Sequence, residues 1–262
     1  MSIYDTPELY ALAFEHRDFE SEVTFLLEAN ALLGWRGLRR VLEVGAGHAP
    51  HAGCFSKRGI HYLGLELHPK MLESGKQRWD GDPNVSLIRG DMNRFTLGET
   101  VDMVFVMLGS LYYKTSEELL SHLQSVAAVL NTSGLYVLDS CVQFADPLSQ
   151  GATHEFSRQT ESGTVRSRFE IELIDPVTQL YKERWEIDLH DSRGMIQHTE
   201  STEFNRALYP QEFRLLVEKQ GDFEIAGMYG SWSLDNPIRT GSSITRPVII
   251  LRKLPRQTSK SV

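Results

Sequence analysis

The sequence is short of cysteine, of positive charge and of long apolar runs, and each shortage removes a class of explanation. Two cysteines, Cys54 and Cys141, stand far apart with no CxxC or Cys/His spacing, which argues against a disulfide framework and against a zinc site. Lysine and arginine number 27 against 35 aspartates and glutamates, a formal net charge of -8, whereas a phosphate track for nucleic acid needs the opposite balance. No apolar stretch approaches the roughly 18 residues of a membrane span, and the chain does not open on a basic segment followed by an apolar run. The expectation is a soluble cytoplasmic protein in a reducing compartment, with neither nucleic acid nor membrane as partner.

What is there is enough for one large core with an elaboration: 262 residues, 41% of them hydrophobic. Phe19, Val23, Leu26, Leu27 and Ala31 recur at helical spacing over 18–34, with acids early and Gly34 at the end. The apolar runs Val41–Val44 and Ile60–Leu65 flank a glycine-rich turn and a crossover helix. The alternation continues with a helix near 69–79, strands near 85–89 and 101–108, a helix over 116–130 and a strand over 135–138 entered through the turn residues 131–134. Thr115 and Glu118 offer that helix a capping box. Five strands joined by helical crossovers predict an α/β fold, a doubly wound, Rossmann-like, mostly parallel sheet.

From 144 to 208 the period changes to two, with Val165, Phe169, Ile171 and Leu173, then Trp185, Ile187 and Leu189, alternating with polar residues. This predicts a meander of three or four antiparallel strands inserted as an arm over the site. A helix near 210–219 and strands near 223–229 and 246–252 return the chain to the sheet. The expected organisation is a core over 1–143 and 209–254, the arm over 144–208, and a polar tail over 255–262.

Val41-Leu42-Glu43-Val44-Gly45-Ala46-Gly47-His48-Ala49-Pro50 reads as a strand, an acid near its end, and a turn whose glycines let the backbone approach a ligand. Pro50 suits the first turn of the following helix. A dinucleotide site asks for a third glycine where Pro50 stands, and with Glu43 ahead of the turn this favours S-adenosylmethionine (SAM). Nineteen residues after Gly47, Glu66 ends the second strand beside Leu67, where a carboxylate can accept both ribose hydroxyls. Asp91 follows the third strand, placed to read an adenine amino group, with Met92 beside its face. Either acid alone could be a helix cap, and the glycines alone could make a plain strand-to-helix turn.

With those residues in place, the chain resembles class I SAM-dependent methyltransferases. Its stretches LYALAFEHRDFESE, VLEVGAGHAPH, GLELHPKML and GDMNRF are similar to bacterial small-molecule N-methyltransferases of the aminosugar type. The resemblance implies Glu43, Gly45 and Gly47 near the methionine part of SAM, Glu66 on the ribose, Asp91 and Met92 at the adenine, and Leu108 at the end of the fourth strand. It implies that Tyr10, Phe14 and Arg17 close over the cofactor, with Arg17 opposite its carboxylate. Two departures stand out: Ala49 replaces the family's usual glycine, and Gly109-Ser110-Leu111-Tyr112-Tyr113 lacks the histidine that aminosugar enzymes carry after the fourth strand.

Methyl transfer from a sulfonium is an in-line displacement that asks for alignment and water exclusion more than for a base. The carboxyl edge of the sheet selects Tyr112, Tyr113, Asp139 and Cys141, with Tyr113 the candidate to orient the nucleophile; Cys141 has no base to activate it. His154, Trp185, His198, Glu200 and Arg206 on the arm could overhang the acceptor, and of these His154 and Arg206 join Tyr112 and Asp139 as substrate candidates. His48 and His51 form HxxH, but no adjacent acid completes a metal site, and none is expected. N-methylation of a small molecule or peptide amine leads, because no base is evident. O-methylation is the alternative, signalled by a clamp of Arg206 with Arg246; a SAM-binding protein without transferase activity and a nicotinamide oxidoreductase remain as other classes. A homodimer is compatible with the sequence.

Overall fold

The structure, a computed structural model, describes residues 1–34 and 37–255. Past Pro255 the expected polar tail lies outside the described residues. Among the described residues, seven strands form one sheet: β1 (Arg40–Val44), β2 (His61–Glu66), β3 (Val85–Arg89), β4 (Val101–Val106), β5 (Leu130–Asp139), β10 (Phe223–Tyr229) and β11 (Val248–Lys253). Their order is β10-β11-β5-β4-β1-β2-β3. Strands β5, β4, β1, β2 and β3 are parallel, while β11 and β10 add on antiparallel. The chain runs outward from β1 to β3, then restarts on the other side at β4, so the topological switch falls at the carboxyl ends of β1 and β4, where such sheets bind ligands.

Strand alternation supplies both faces with apolar side chains. Leu42, Val44, Val104, Val106, Tyr136 and Leu138 point to one side, under α5 (Ser116–Val129) and α6 (Pro210–Gln220). Val41, Tyr62, Met103, Phe105 and Val137 point to the other, under α2 (Phe19–Leu33) and α3 (Ala52–Ser56). Each fully buried chain of this size contributes about 1.5–3 kcal/mol, so the sheet is a rigid support for whatever its edge carries. Helix α4 (Pro69–Arg78) crosses from β2 to β3.

Three expectations are corrected. Pro50 is not in the first turn of α3: the helix begins at Ala52 with His51 as its cap, because the turn spends two further residues reaching it. The strand expected over 135–138 begins at Leu130; the turn residues make an irregularity inside it, with Ser133 at φ +65° and a register break opposite Val101–Met103. The capping box is half formed: Thr115 Oγ1 accepts from Glu118 N at 3.2 Å, but the Glu118 carboxylate accepts from Lys114 N at 2.6 Å, one residue before the cap.

The period-two segment forms a separate four-stranded antiparallel sheet, β6 (Thr153–Thr160), β7 (Gly163–Asp175), β8 (Leu180–Asp191) and β9 (Gly194–Arg206), in chain order. Its inner face is set by contact: Val165, Ile187 and Leu189 pack on Ile3, Leu9 and Ala13 of the N-terminal segment, whose helix α1 (Pro7–Phe14) the periodicity did not reveal. Backbone and side-chain bonds fasten the same join, with Ile3 N donating to Ser201 Oγ at 2.9 Å and Glu200 N to Met1 O at 3.0 Å. The N-terminal segment is thereby held between the arm and the main sheet.

Candidate functional site

The turn after β1 is built by its glycines and by β2. Gly45 and Gly47 adopt φ of +69° and +58°, and the N–H groups of Gly45 and Ala46 both donate to Leu65 O, at 2.9 and 3.0 Å. Ala49, at the position where the resemblance leads one to expect glycine, also sits at φ +56°, which costs a side-chain-bearing residue about 1–2 kcal/mol. Glu66, at the end of β2, ties the turn to the next crossover: one carboxylate oxygen accepts from Gly47 N and the other from His68 N, each at 2.7 Å. Burial raises the Glu66 pKa, against the pull of these two N–H groups.

Two cavities meet at this turn, sharing Tyr10, Gly45, Gly47 and Ser110. The smaller, about 180 Å³, is also lined by Phe14, Arg17, Glu43 and Leu108. The larger, about 430 Å³, is also lined by Glu66, Leu67, Asp91 and Met92. All eleven residues assigned to the cofactor from the sequence therefore lie on one cleft. The Asp91–Met92 loop is anchored from behind by His122 of α5: its Nδ1 donates to Met92 O at 2.7 Å and its Nε2 accepts from Tyr136 Oη at 2.6 Å. Burial holds that imidazole neutral, its pKa lowered to about 4.

The acceptor candidates fare differently. Tyr113, expected to orient the nucleophile, is only 2% exposed, packs in the main core, and lines none of the cavities described; its hydroxyl is buried without a partner and burial pushes its pKa up. Tyr112 does reach the larger cavity, its hydroxyl donating toward Glu183 at 3.4 Å. Asp139 is fully buried and consumed internally: it accepts from Leu108 N at 2.7 Å, from Trp232 Nε1 at 3.0 Å and from Arg246 through two nitrogens. Arg206 is held by Glu212 and Ser116 Oγ, so no clamp with Arg246 forms. His154 stacks on Phe169, 6.3 Å between ring centres, and lines none of the cavities described. Cys141 is buried, and burial followed by the Asp139 charge raises its thiol pKa.

What the sequence missed is a third cavity, about 820 Å³, that adjoins the smaller one at Phe14, Arg17 and Leu108. Phe156, Arg158 and Trp185 of the arm face Trp232 and Arg246 across it. Trp232 sits between β10 and β11 in a stretch without periodicity, so only its residue type could have drawn notice. Behind this cavity lies a second omission. The reading of His48 and His51 rested on there being no adjacent acid, yet the fold brings two to His51: Glu43 at 2.9 Å from Nδ1 and Glu22 at 2.9 Å from Nε2. Burial opposes a charge on His51, but the two carboxylates prevail and raise its pKa. Burial would likewise raise Glu22, but His51 and Arg17 hold it down to about 2. His48, by contrast, is lowered to about 4 by burial. Among the described residues no group of His, Cys, Asp or Glu is arranged to hold a metal ion.

Comparison with known proteins agrees with this geometry. The methyltransferase-domain family matches residues 41–134, from β1 into β5. Over nearly the full chain the fold matches a SAM-dependent methyltransferase of Clostridium acetobutylicum (TM-score 0.77, 14% identity, 94% of this chain and 96% of that one). It also matches the SAM-bound amino pentose methyltransferase of calicheamicin biosynthesis from Micromonospora echinaspora (TM-score 0.73, 20% identity, 94% and 97%). The chain has the fold of these methyltransferases, and the stretch that matches the domain family lies at the centre of its main sheet. The chain is also similar to the dTDP-3-amino-3,4,6-trideoxy-alpha-D-glucopyranose N,N-dimethyltransferase of Streptomyces venezuelae, 35% identical over 100 residues. That match covers 38% of this chain and spans about two-fifths of the relative, 41% of its length.

Proposed function

We propose that the protein is a SAM-dependent methyltransferase that methylates an amine of a small-molecule acceptor. The observation that carries this reading is the cleft across the Gly45–Gly47 turn, with Glu66 and Asp91 at one end and Arg17 at the other, opening past Phe14 and Leu108 into a larger aromatic-walled cavity. The cleft fits SAM by donor set: Glu66 has lone pairs left for a vicinal diol after accepting from Gly47 and His68, Met92 offers an apolar face beside Asp91, and Arg17 supplies a cation for a carboxylate. When bound, SAM supplies a methyl group on a sulfonium that needs no metal or oxidant to leave.

The chain's own residues then have three tasks: hold the cofactor, align the acceptor, and keep water out. Tyr10 and Phe14 of α1 cover the cleft from above, and the arm, which we take as residues 144–208, walls the acceptor cavity. Asp139 is neutralised by Arg246, and burial raises the pKa of both Cys141 and Tyr113. None of these three lines the acceptor cavity, and an amine, which reacts through its neutral form, needs no base there. This favours N- over O-methylation, as does the name of the Streptomyces venezuelae relative.

No helix of the described residues is long and apolar enough to cross a membrane, and the free thiols Cys54 and Cys141 suit a reducing cytoplasm. A homodimer remains part of the proposal, to be read by sedimentation. The reading is tested by incubating the protein with methyl-labelled SAM and small amines, including amino sugars, and identifying the product. Labelled N-methyl product with S-adenosylhomocysteine is the expected result. Binding of NAD but not of S-adenosylhomocysteine in calorimetry would overturn it.

A further inference from the structure

The group that joins the cofactor cleft to the acceptor cavity is the carboxylate of Glu22, the last residue of the LYALAFEHRDFESE stretch. Glu22 lies in the first turn of α2, is 6% exposed, and accepts from three cations. Arg17 reaches it with Nε at 3.3 Å and Nη2 at 2.7 Å, His51 with Nε2 at 2.9 Å, and Arg246 with Nη1 at 3.0 Å. Each cation has a second attachment. Arg17 lines both the cleft and the acceptor cavity. His51 bonds Glu43 of β1, in the cleft wall, and Glu43 in turn accepts from Tyr62 of β2. Arg246 lines the acceptor cavity, bonds Asp139 at the end of β5, and lies 4.9 Å from the Trp232 ring centre.

The protonation of His51 follows from its partners. An ionised carboxylate only accepts, and His51 faces Glu43 from one ring nitrogen and Glu22 from the other. The ring also meets Phe19 of α2 and Phe105 of β4, both edge-on, and the Arg17 guanidinium. Both nitrogens must therefore carry protons. With His51 as an imidazolium, the set holds three cations (Arg17, His51, Arg246) and three anions (Glu22, Glu43, Asp139), and is neutral as a unit. Buried charges tolerate one another only while paired, and removing one member leaves the rest uncompensated. The set therefore holds or shifts together.

We propose that Glu22 is a positioning residue that couples the two cavities: by holding His51, Arg17 and Arg246 at once, it makes the cofactor cleft respond to changes on the acceptor side. The proposal rests on the reading of the cleft as a SAM site. Coupling of this kind is reciprocal, so cofactor binding also sets the position of Arg246 and the Trp232 wall it supports.

The test measures S-adenosylhomocysteine binding by calorimetry. In the double variant Arg246→Gln, Asp139→Asn, the acceptor-side arm of the set is removed without leaving a lone charge there; neither residue lines the cofactor cleft, and the amide oxygen kept at position 139 can still accept from Leu108 N. Affinity is expected to fall at least tenfold; Arg246→Lys, which keeps a cation against Glu22, is expected to recover most of it. The control Arg184→Gln, which removes an exposed ion pair on the arm, is expected to change affinity less than twofold. Double-variant affinity within twofold of wild type overturns the coupling. Wild-type protein that fails to bind S-adenosylhomocysteine overturns the functional reading instead, and the coupling with it. A second measurement needs no variant: nitrogen-15 spectra of the wild-type His51 ring are expected to show both nitrogens protonated from pH 6 to 9, and a single proton at pH 8 overturns the proposal.

Discussion

Glu66→Gln is the substitution on which the cofactor assignment stands most directly. The side chain keeps its length, but one oxygen becomes an NH2 group. Since both oxygens now accept from backbone N–H groups, Gly47 N on one and His68 N on the other, the amide must turn a donor toward one of them. A hydrogen bond to a charged group contributes about 1.5–3 kcal/mol, and the same atom would also lose its bond to a ribose hydroxyl. We expect a loss of about 3 kcal/mol in cofactor binding, on the order of 100-fold, together with about 1–2 kcal/mol of folding stability, read as a Tm lower by roughly 2–6 °C. Calorimetry with S-adenosylhomocysteine and thermal unfolding of the same samples separate the two effects. Lower Tm with unchanged affinity would make Glu66 a turn-holding residue only; neither change would refute the reasoning from these bonds. Because burial already raises its pKa, cofactor affinity in the wild type is also expected to decline on acidification before an ordinary glutamate would protonate.

Glu183, half-buried beside Tyr112 on β8, has its pKa raised by desolvation from an ordinary 4.5 to about 7. For a carboxyl raised on folding, the folded state favours the proton. The contribution of Glu183 to stability is therefore greatest below pH 4.5 and is lost as pH rises through 7. Glu183→Gln should flatten that decline and, after allowance for its partial exposure, stabilise the protein at pH 8 by about 1–2 kcal/mol; denaturant midpoints at pH 5 and 8 would show an equal wild-type value if this is wrong. Gly64→Ala would place a Cβ 2.4 Å from Leu87 Cδ2 and 2.9 Å from Ala46 Cβ, in the glycine turn after β1. A cost of about 1–3 kcal/mol follows, measurable as a shifted urea midpoint, and an unchanged midpoint would mean that the turn yields freely. Of the two thiols, Cys54 is half-buried and Cys141 buried. Mass spectrometry after brief native alkylation at pH 7.5 should find at most one adduct, at Cys54, and two in urea; native modification of Cys141 would contradict its burial.

Much of this protein was legible along the chain. The sheet strands and the arm showed themselves by period, and the cleft by spacing, because Gly45, Gly47, Glu66 and Asp91 each end a local strand or turn whose position the backbone sets within a few residues. Tertiary packing decided the rest. Tyr113 and Tyr112 are neighbours in sequence, yet one enters the core and the other the cavity, a choice made by loop geometry after Leu108 turns at φ +56°. Pro50 missed its helix because nothing local fixes how many residues a turn consumes. Asp139 seemed free for substrate until Arg246, 107 residues away, claimed it. His51 seemed without an acid until Glu43 and Glu22, 8 and 29 residues away, closed on it. Pairing between distant charges leaves no period in a sequence, since each partner is placed by a different element. The chain alone thus determined the strands and the glycine turn, and folding alone determined which charged side chains stay unpaired by one another.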